Sequence, residues 1–395
     1  MELNRMRILV TTFGGDGGKS GVSQYIIQFL RYCRECAPDM NFDVILYEDE
    51  KAVYTDQDPA FETICQAEWL RSASVNILWH QWGLPALCRK NGYDAVFIPG
   101  GNRRLPWRLP CPTVVTCHDL GILHVPDKYD AVHRFYNLRV LPHLLKRQTR
   151  ILTVSETSKE DIVSYTGVPD EQVTVTLNGV DHETYQPGDY DASRALVAKN
   201  YGVETPYLLY IARIDHPGKN HIRLIEAFAR LKAETDLPHT LVLAGSDWSR
   251  AEEVHEVAKQ SSATEHIVFT GFAPSEDLPA LYCGADLFVF PSLFEGFGIP
   301  IVEAMNCGTP VACADISCLP EIAGDAAVLF DPYDTAAMAQ ALERALTDED
   351  LRAQCIERGK IRAKRYNWRD TVQQTVDIIR EVSTSQNEIE KQINE

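Results

Sequence analysis

The stretch Ala285-Asp-Leu-Phe-Val-Phe-Pro-Ser-Leu-Phe-Glu-Gly-Phe-Gly-Ile-Pro-Ile-Val-Glu303 predicts a strand, a turn and a helix in immediate succession. Its first six residues, apolar except for Asp286, are typical of a buried strand, and Pro300 stands where the first turn of a helix favours proline. Ligands of open α/β sheets bind at the carboxyl ends of the strands, and a helix N-terminus offers N–H groups to an anion. We therefore predict that Glu295 and Glu303 flank a site for a polar, anionic ligand.

Glu303 is unusual because it interrupts the apolar residues of the predicted helix. A carboxylate on a mostly buried helix needs partners that offset its desolvation. The alternative interpretation is an acid in the first helical turn, where the helix dipole contributes about 0.3–1 kcal/mol.

Length and charge limit the classes of protein to consider. The chain has 395 residues, which favours two domains. Its 38 Lys and Arg against 56 Asp and Glu give a formal charge of −18, which argues against a general role on nucleic acid or anionic membrane. Residues 100–150 differ, because they hold nine Lys or Arg and three Asp, a local balance of +6. This basic 100–150 surface is either a solvated face or a surface for an anionic acceptor or lipid headgroups, with Trp107 and Phe135 as anchors.

The cysteine pattern bears on the compartment. Eleven cysteines, an odd number, lie scattered through apolar stretches without a signal peptide before them. We therefore expect the protein to lie in the reducing cytoplasm, either free or attached peripherally to the inner face of the membrane. No apolar run approaches the roughly 18–20 residues of a membrane span.

Short strand patterns alternate with helical patterns in both halves of the chain. Such alternation is typical of a doubly wound parallel sheet, and the pattern restarts after the polar stretch Gln186–Asp191. The sequence thus predicts an α/β protein with two Rossmann-like domains. The boundaries we predict are 1–187, 188–365, a C-terminal helix at 366–383, and a frayed polar tail at 384–395.

The glycine-rich run Gly14–Gly21 follows the first predicted strand. A Walker A loop would need glycine at Phe13, and the dinucleotide fingerprint would need glycine at Ser20, so both motifs fail. The interpretation that remains is a flexible loop whose N–H groups approach a phosphate, or else merely a tight turn.

A second loop follows the strand predicted at residues 207–212. Arg213 and Lys219 lie six residues apart on it. Arg offers a planar fork to phosphate oxygens and Lys a mobile point charge, so the loop is a candidate diphosphate clamp. Ordinary surface charges are the alternative.

Several ordered motifs resemble the retaining, nucleotide-sugar-dependent glycosyltransferases of family four (glycosyl transferases group 1), and among them bacterial mannosyltransferases. The motifs are PSLFEGFGIPIVEAMNCGTPV, YIARIDHPGKN, VVTCHDL, ILTVSETSKEDI, VTVTLNGVD and LPEIAGDAAVLFDP. The resemblance implies the GT-B fold, with two Rossmann-like domains facing a central cleft. It also implies that domain 1–187 binds the acceptor, that domain 188–365 binds the donor nucleotide, and that the helix at 366–383 crosses back to the first domain.

The resemblance also implies roles for individual residues. Arg213 and Lys219 would neutralise the donor diphosphate, Glu303 would bind the ribose hydroxyls, and Glu295 would lie beside the transferred sugar. His118 would contact that sugar near the reacting centre, although a buried histidine bonded to the backbone is the alternative. The remaining donor contacts implied are backbone groups at Gly21, Phe272, Phe297, Gly298 and Ile299. Ser20 replaces a glycine that many members carry, which leaves Gly21 as the phosphate contact.

The expected reaction transfers a hexose from a nucleotide sugar to a glycan or lipid-linked glycan, with retention and without a metal or other cofactor. GDP-mannose is the leading donor and a UDP-hexose the alternative. One rival is a metal-dependent transferase with an Asp-x-Asp motif, which Asp56-Gln-Asp58 and Asp348-Glu-Asp350 both match. The other rival is a non-catalytic module that binds sugar nucleotides or glycans.

Overall fold

The computed structural model describes residues 5–18, 20–55, 58, 60–102 and 104–394, the side chains of residues 73 and 386–394 excepted. The strands of these residues are β1 Met6–Thr11, β2 Met40–Tyr47, β3 Glu62–Gln66, β4 Ala95–Ile98, β5 Thr113–Thr116, β6 Arg150–Thr153, β7 Val173–Val175, β8 Tyr207–Ile211, β9 Thr240–Ala244, β10 Ile267–Gly271, β11 Leu287–Phe290, β12 Val311–Ala314 and β13 Ala327–Phe330.

Helices connect most of these strands. They are α1 Gly21–Cys36, α2 Lys51–Tyr54, α3 Ala73–Asn91, α4 Ala131–Phe135, α5 Leu141–Leu145, α6 Glu156–Thr166, α7 Tyr190–Tyr201, α8 His221–Glu234, α9 Ala251–Gln260, α10 Leu278–Cys283, α11 Ile299–Cys307, α12 Leu319–Ala323, α13 Thr335–Thr347, α14 Glu349–Ala363 and α15 Trp368–Asn394. A π-helical stretch, Tyr136–Val140, joins α4 to α5.

The chain divides into two compact units. Unit 1 comprises Met1–Leu120, Ala131–Gly179 and Trp368–Glu395, and unit 2 comprises Gly121–Asp130 and Val180–Asn367. The short segment Gly121–Asp130 therefore belongs to unit 2, which the predicted boundaries do not anticipate. The predicted helix at 366–383 corresponds to α15, whose residues group with unit 1. Helix α15 extends to Asn394, beyond the predicted end at residue 383, and the frayed polar tail from residue 384 stays a prediction.

Unit 1 is built on a seven-stranded parallel sheet in the order β3-β2-β1-β4-β5-β6-β7. Strand β4 is fully buried, as expected for a parallel sheet covered by helices on both faces. The strand order reverses between β1 and β4, and the glycine-rich loop leaves β1 at this reversal. Edge strand β3 is only partly buried, so it lacks the apolar run that predicted the others.

Unit 2 is built on a six-stranded parallel sheet in the order β10-β9-β8-β11-β12-β13. Its central strands β8 and β11 pair directly, with Leu287 opposite Leu208. The strand order reverses between them, and in doubly wound sheets this reversal opens the crevice that receives a ligand. Both units confirm the predicted α/β class. Among the described residues, no helix is both long and apolar enough to cross a bilayer.

Candidate active site

Two loops leave unit 2 where its strand order reverses. One follows β8 and carries Arg213 and Lys219, and the other follows β11 and carries Glu295. The backbone joins the two loops, because the N–H of Leu293 donates to the carbonyl of Gly218 at 2.9 Å. Candidate residues from two separate sequence motifs therefore meet at one edge of the sheet.

Lys219 and Glu295 form an ion pair across these loops. The Lys219 Nζ lies 2.6 Å from the Glu295 Oε1, with 22% and 17% of the two side chains exposed. Charges this close in a partly shielded setting attract each other strongly. The pair places a cation and a carboxylate at the carboxyl edge of the sheet. A cation there suits a diphosphate, and a carboxylate suits the hydroxyl groups of a hexose.

The backbone of Glu295 is fixed by the following loop. The hydroxyl of Ser317 accepts from the Glu295 N–H at 3.3 Å and donates to the Glu295 carbonyl at 2.7 Å. Ser317 has a φ of 60°, a left-handed conformation that costs a non-glycine residue energy and often marks functional loops. Glu295 is therefore held at its main chain as well as by Lys219.

Arg213 lies against an aromatic ring. Its guanidinium carbon is 4.7 Å from the centroid of Trp248, which follows β9 and is 60% exposed. Stacking of this kind restricts the side chain while leaving its charge accessible to a ligand.

The glycine turn before α11 presents the N-terminus of that helix. Gly298 has a φ of 93°, a conformation that favours glycine, and Pro300 lies in the first turn. The first N–H groups of a helix have no partner within it, so the backbone of Phe297, Gly298 and Ile299 is suited to an anion. The Phe297 side chain is buried and packs edge-on against Tyr366.

Glu303 lies in the second turn of α11, so the alternative of a first-turn acid does not describe it. The hydroxyl of Tyr282 donates to Glu303 Oε2 at 2.7 Å, and the Tyr185 hydroxyl is a second donor. Burial raises the pKa of Glu303 to about 7, although the hydrogen bonds from both tyrosines act in the opposite direction. The carboxyl group therefore titrates near neutral pH.

Phe272 follows β10 and is 66% exposed. Its predicted place beside the nucleotide base stays a prediction.

Two candidates lie in unit 1. His118 is buried just after β5, its Nε2 lies 2.8 Å from the carbonyl oxygen of Pro99, and its ring packs edge-on against Tyr25. The contact with Pro99 agrees with the alternative interpretation, in which His118 is a buried histidine bonded to the backbone. A role of His118 at the donor sugar stays a prediction. Gly21 begins α1, with Ser20 as its N-cap.

Comparisons with known proteins give these units a family. Residues 19–184 match the family described as Glycosyltransferase Family 4, and residues 196–362 match Glycosyl transferases group 1. The O-antigen chain mannosyltransferase B of Escherichia coli is 32% identical over 285 residues, covering 72% of this chain and 74% of that protein. The chain is a family 4 glycosyltransferase.

Two further similarities extend the assignment. The serotype-specific mannosyltransferase WbdA of Escherichia coli is 31% identical over 71% of this chain, but the match spans only 34% of that longer protein. The sucrose-phosphate synthase of Thermosynechococcus elongatus shares 20% identity, with a TM-score of 0.76 over 96% of this chain and all of that one. The glycosyltransferase thus has the predicted GT-B fold and mannosyltransferases among its relatives.

The structure describes one of the two Asp-x-Asp motifs in full and the other only in part. Asp56 lies outside the described residues, and Asp58 pairs with Arg34. Asp348 caps α14, its carboxylate accepting from the N–H of Leu351 at 2.9 Å. The described part of the chain brings together no group of three His, Cys, Asp or Glu suited to a metal.

Sequence reasoning missed several residues around the candidate site of the glycosyltransferase. These are Tyr185, Trp248, Tyr282 and Ser317, together with the ion pair of Lys128 and Asp215. Asp215 lies in the motif YIARIDHPGKN, on the same loop as Lys219, but that motif did not mark it as a partner of Lys128. The apolar run around Glu303 was the available signal, because it required polar partners that the sequence did not identify.

Proposed function

We propose that this glycosyltransferase moves mannose from GDP-mannose to a hydroxyl of a glycan or lipid-linked glycan, with retention of the anomeric configuration. The observation that carries the proposal is the Lys219–Glu295 ion pair at the strand reversal, with a second cation, Arg213, on the same loop as Lys219. The names of the mannosyltransferase relatives support the choice of sugar.

In the proposed reaction, the bond from the sugar C1 to the diphosphate oxygen breaks while a bond from C1 to the acceptor oxygen forms on the same face. The acceptor proton passes to the leaving diphosphate, so the products are a mannoside and GDP. Arg213, Lys219 and the N-terminus of α11 stabilise the charge that grows on the leaving oxygen. Glu295 accepts hydrogen bonds from sugar hydroxyls and orients C1. The scheme requires no metal or other cofactor.

A donor panel tests this proposal. Thermal unfolding is measured with GDP, UDP, ADP and their hexose conjugates, because a ligand that binds the folded state raises its stability by mass action. We expect the largest stabilisation from GDP and GDP-mannose. Release of GDP from GDP-mannose with short mannose oligosaccharides as acceptors, and the anomeric configuration of the product by NMR, then test the reaction and its stereochemistry.

Each rival has its own outcome in these assays. A larger shift with UDP and its hexoses would replace GDP-mannose by a UDP-hexose. Activity lost in EDTA and restored by Mg²⁺ or Mn²⁺ would contradict the metal-independent scheme. Nucleotide binding without turnover in the wild type would favour the non-catalytic module.

We propose that Glu303 accepts hydrogen bonds from the ribose hydroxyls in its ionised form. An ionised acceptor binds hydroxyls more strongly than a neutral one, so GDP affinity should rise about tenfold between pH 6 and pH 8, with a midpoint near the pKa of about 7. Isothermal titration calorimetry measures this dependence. Glu303→Gln should bind GDP more weakly and retain only the titration of the nucleotide phosphate, so an unchanged pH profile in this variant would contradict the role.

The stability of the free protein should move in the opposite direction. The folded-state pKa of Glu303 lies above the ordinary value of 4.5, so the fold favours the neutral carboxyl group. The contribution of this group is therefore fully present below about pH 4.5 and is lost as the pH rises to about 7.

We also propose that unit 1 contacts an anionic lipid surface through the basic 100–150 surface. Trp107 and Phe135 are 50% and 64% exposed, and the Arg147 guanidinium lies 3.7 Å from the centroid of the Trp107 ring. The backbone N–H of Trp107 donates to the side-chain oxygen of Gln81 on α3. The next residue of that helix, Trp82, is 68% exposed. Exposed indoles beside cations suit the headgroup region of a bilayer.

Sedimentation with phosphatidylglycerol vesicles tests this contact. Arg108→Glu combined with Arg147→Glu should lower the affinity for the vesicles at least about thirtyfold, since each basic residue near an anionic surface contributes about 1 kcal/mol. Arg230→Glu, an exposed position of unit 2 paired with Glu234, is the control. Equal binding by all three proteins would remove the proposal. Arg103 and Arg104 are further candidates for this test, and Arg103 lies outside the described residues.

A further inference from the structure

The segment Gly121–Asp130 belongs to unit 2, although the chain on both sides of it belongs to unit 1. Two short 3-10 turns, Gly121–Leu123 and Pro126–Lys128, give it a defined conformation. Its Ile122 side chain is buried, and the N–H of Val125 donates to the carbonyl of Gly121 at 2.9 Å. We call this segment the strap.

The strap contacts the loop that carries Arg213 and Lys219. Lys128 Nζ lies 2.8 Å from Oδ2 of Asp215, whose side chain is only 3% exposed. Among the described residues, the other oxygen of this carboxylate has no hydrogen-bond partner. A buried carboxylate depends strongly on its cation, because removal of that cation leaves an uncompensated charge. Lys128 is thus the residue that holds Asp215 in place.

The strap also contacts the loop that carries Glu295. The ring of His124 stacks on Phe294, with centroids 4.4 Å apart and planes 9° from parallel. Phe294 directly precedes Glu295 in the chain. The two contacts of the strap therefore fall on the two loops that the Lys219–Glu295 pair joins.

We propose that the strap sets the geometry of the donor-binding loops, with Lys128 and His124 as positioning residues for the nucleotide diphosphate. Lys128 acts through Asp215 on the loop of Arg213 and Lys219, and His124 acts through Phe294 on the backbone of Glu295. This inference rests on the proposed function, because it assigns the strap to the donor site of that reaction.

Calorimetry with GDP, and with UDP in parallel, tests the inference. Lys128→Met should raise the Kd of the bound nucleotide and the KM of its sugar conjugate about tenfold, with a smaller change in kcat, because misplaced binding groups weaken recognition. Lys128→Arg keeps the cation and should restore most of the affinity. His124→Ala, which leaves the ion pair in place, should weaken binding in the same direction.

A double-mutant cycle shows whether Lys128 acts through Asp215. Asp215→Asn removes the charge that Lys128 compensates, so Lys128→Met should have little further effect on the nucleotide Kd in that background. Lys159→Met is the control, because Lys159 pairs with Asp170 in unit 1 at 2.9 Å. Melting temperatures of all variants separate weakened binding from loss of fold.

The outcomes distinguish the two levels of the proposal. A wild-type protein that binds neither GDP nor UDP would overturn the proposed function and the inference with it. A wild type that binds nucleotide, together with folded Lys128→Met and His124→Ala variants that bind it equally well, would overturn the inference alone.

Discussion

Replacement of Lys219 by methionine is expected to lower kcat for sugar transfer about 10²–10³-fold, the range typical for removal of one group that stabilises a transition-state charge. Methionine retains much of the length of the side chain but not the ammonium group. The charge on the leaving diphosphate grows as the bond to C1 breaks, so the loss should appear in kcat more than in KM. Steady-state release of GDP from GDP-mannose measures both constants.

The control for this variant must remove a comparable ion pair elsewhere. Lys159 of unit 1 pairs with Asp170 at 2.9 Å and has 21% of its side chain exposed, close to the 22% of Lys219. Its partner Asp170 is 71% exposed against 17% for Glu295, so Lys159→Met should lose less electrostatic stabilisation than Lys219→Met, and it should not lower kcat. Equal activity of the two variants would contradict the role of Lys219 at the diphosphate.

Lys219→Met also leaves Glu295 without its cationic partner, and this unpaired carboxylate could itself lower kcat. The double variant Lys219→Met with Glu295→Gln leaves no unpaired charge at this position. If the transition-state role is right, the double variant stays as slow as Lys219→Met or slower. Recovery of activity in the double variant would instead assign the loss to the unpaired carboxylate.

The sequence predicted the central strands of unit 2 well because they are buried on both faces. β8 and β11 appear as short apolar runs between polar loops, and β9 and β12 likewise. The partly exposed edge strand β3 has no such run, because its two β-branched residues, Thr63 and Ile64, lie between Glu62 and Gln66. Burial on both faces makes a strand easy to recognise but is not required, because the partly exposed edge strand β10 was predicted at residues 267–270.

Prediction of the site depended on the order of the strands. Lys219 and Glu295 were each expected at the carboxyl end of a strand, but their 2.6 Å contact requires β8 and β11 to be neighbours, which the sequence does not specify. Glu303 was expected to need partners, and it has Tyr282 and Tyr185. The strap could not be predicted, because Lys128 lies in the first half of the chain and its partner Asp215 in the second.

Replacement of Gly245 by alanine is expected to lower the free energy of unfolding by about 3 kcal/mol, the upper part of the range for an overpacked position. Gly245 follows β9, and its N–H donates to the carbonyl of Gly271 at 2.9 Å. A Cβ at this residue would lie 1.9 Å from the carbonyl oxygen of Ala212, which is backbone and cannot turn aside. The clash must displace Ala212, and Arg213 is the next residue, so GDP affinity should fall as well.

Urea unfolding measures the loss of stability, and calorimetry measures the loss of GDP affinity. Gly202→Ala is the control for the effect of replacing any glycine by alanine. Gly202 ends α7 with a φ of 70°, and no atom lies within 4 Å of the position of its Cβ. Alanine there meets only backbone strain, about 1 kcal/mol, with no effect on GDP binding. If Gly245→Ala lowers the free energy of unfolding no more than Gly202→Ala does, the backbone at Ala212 can move away from the new Cβ at little cost. A Gly245→Ala variant that loses stability but binds GDP normally would show that Arg213 does not depend on the position of Ala212.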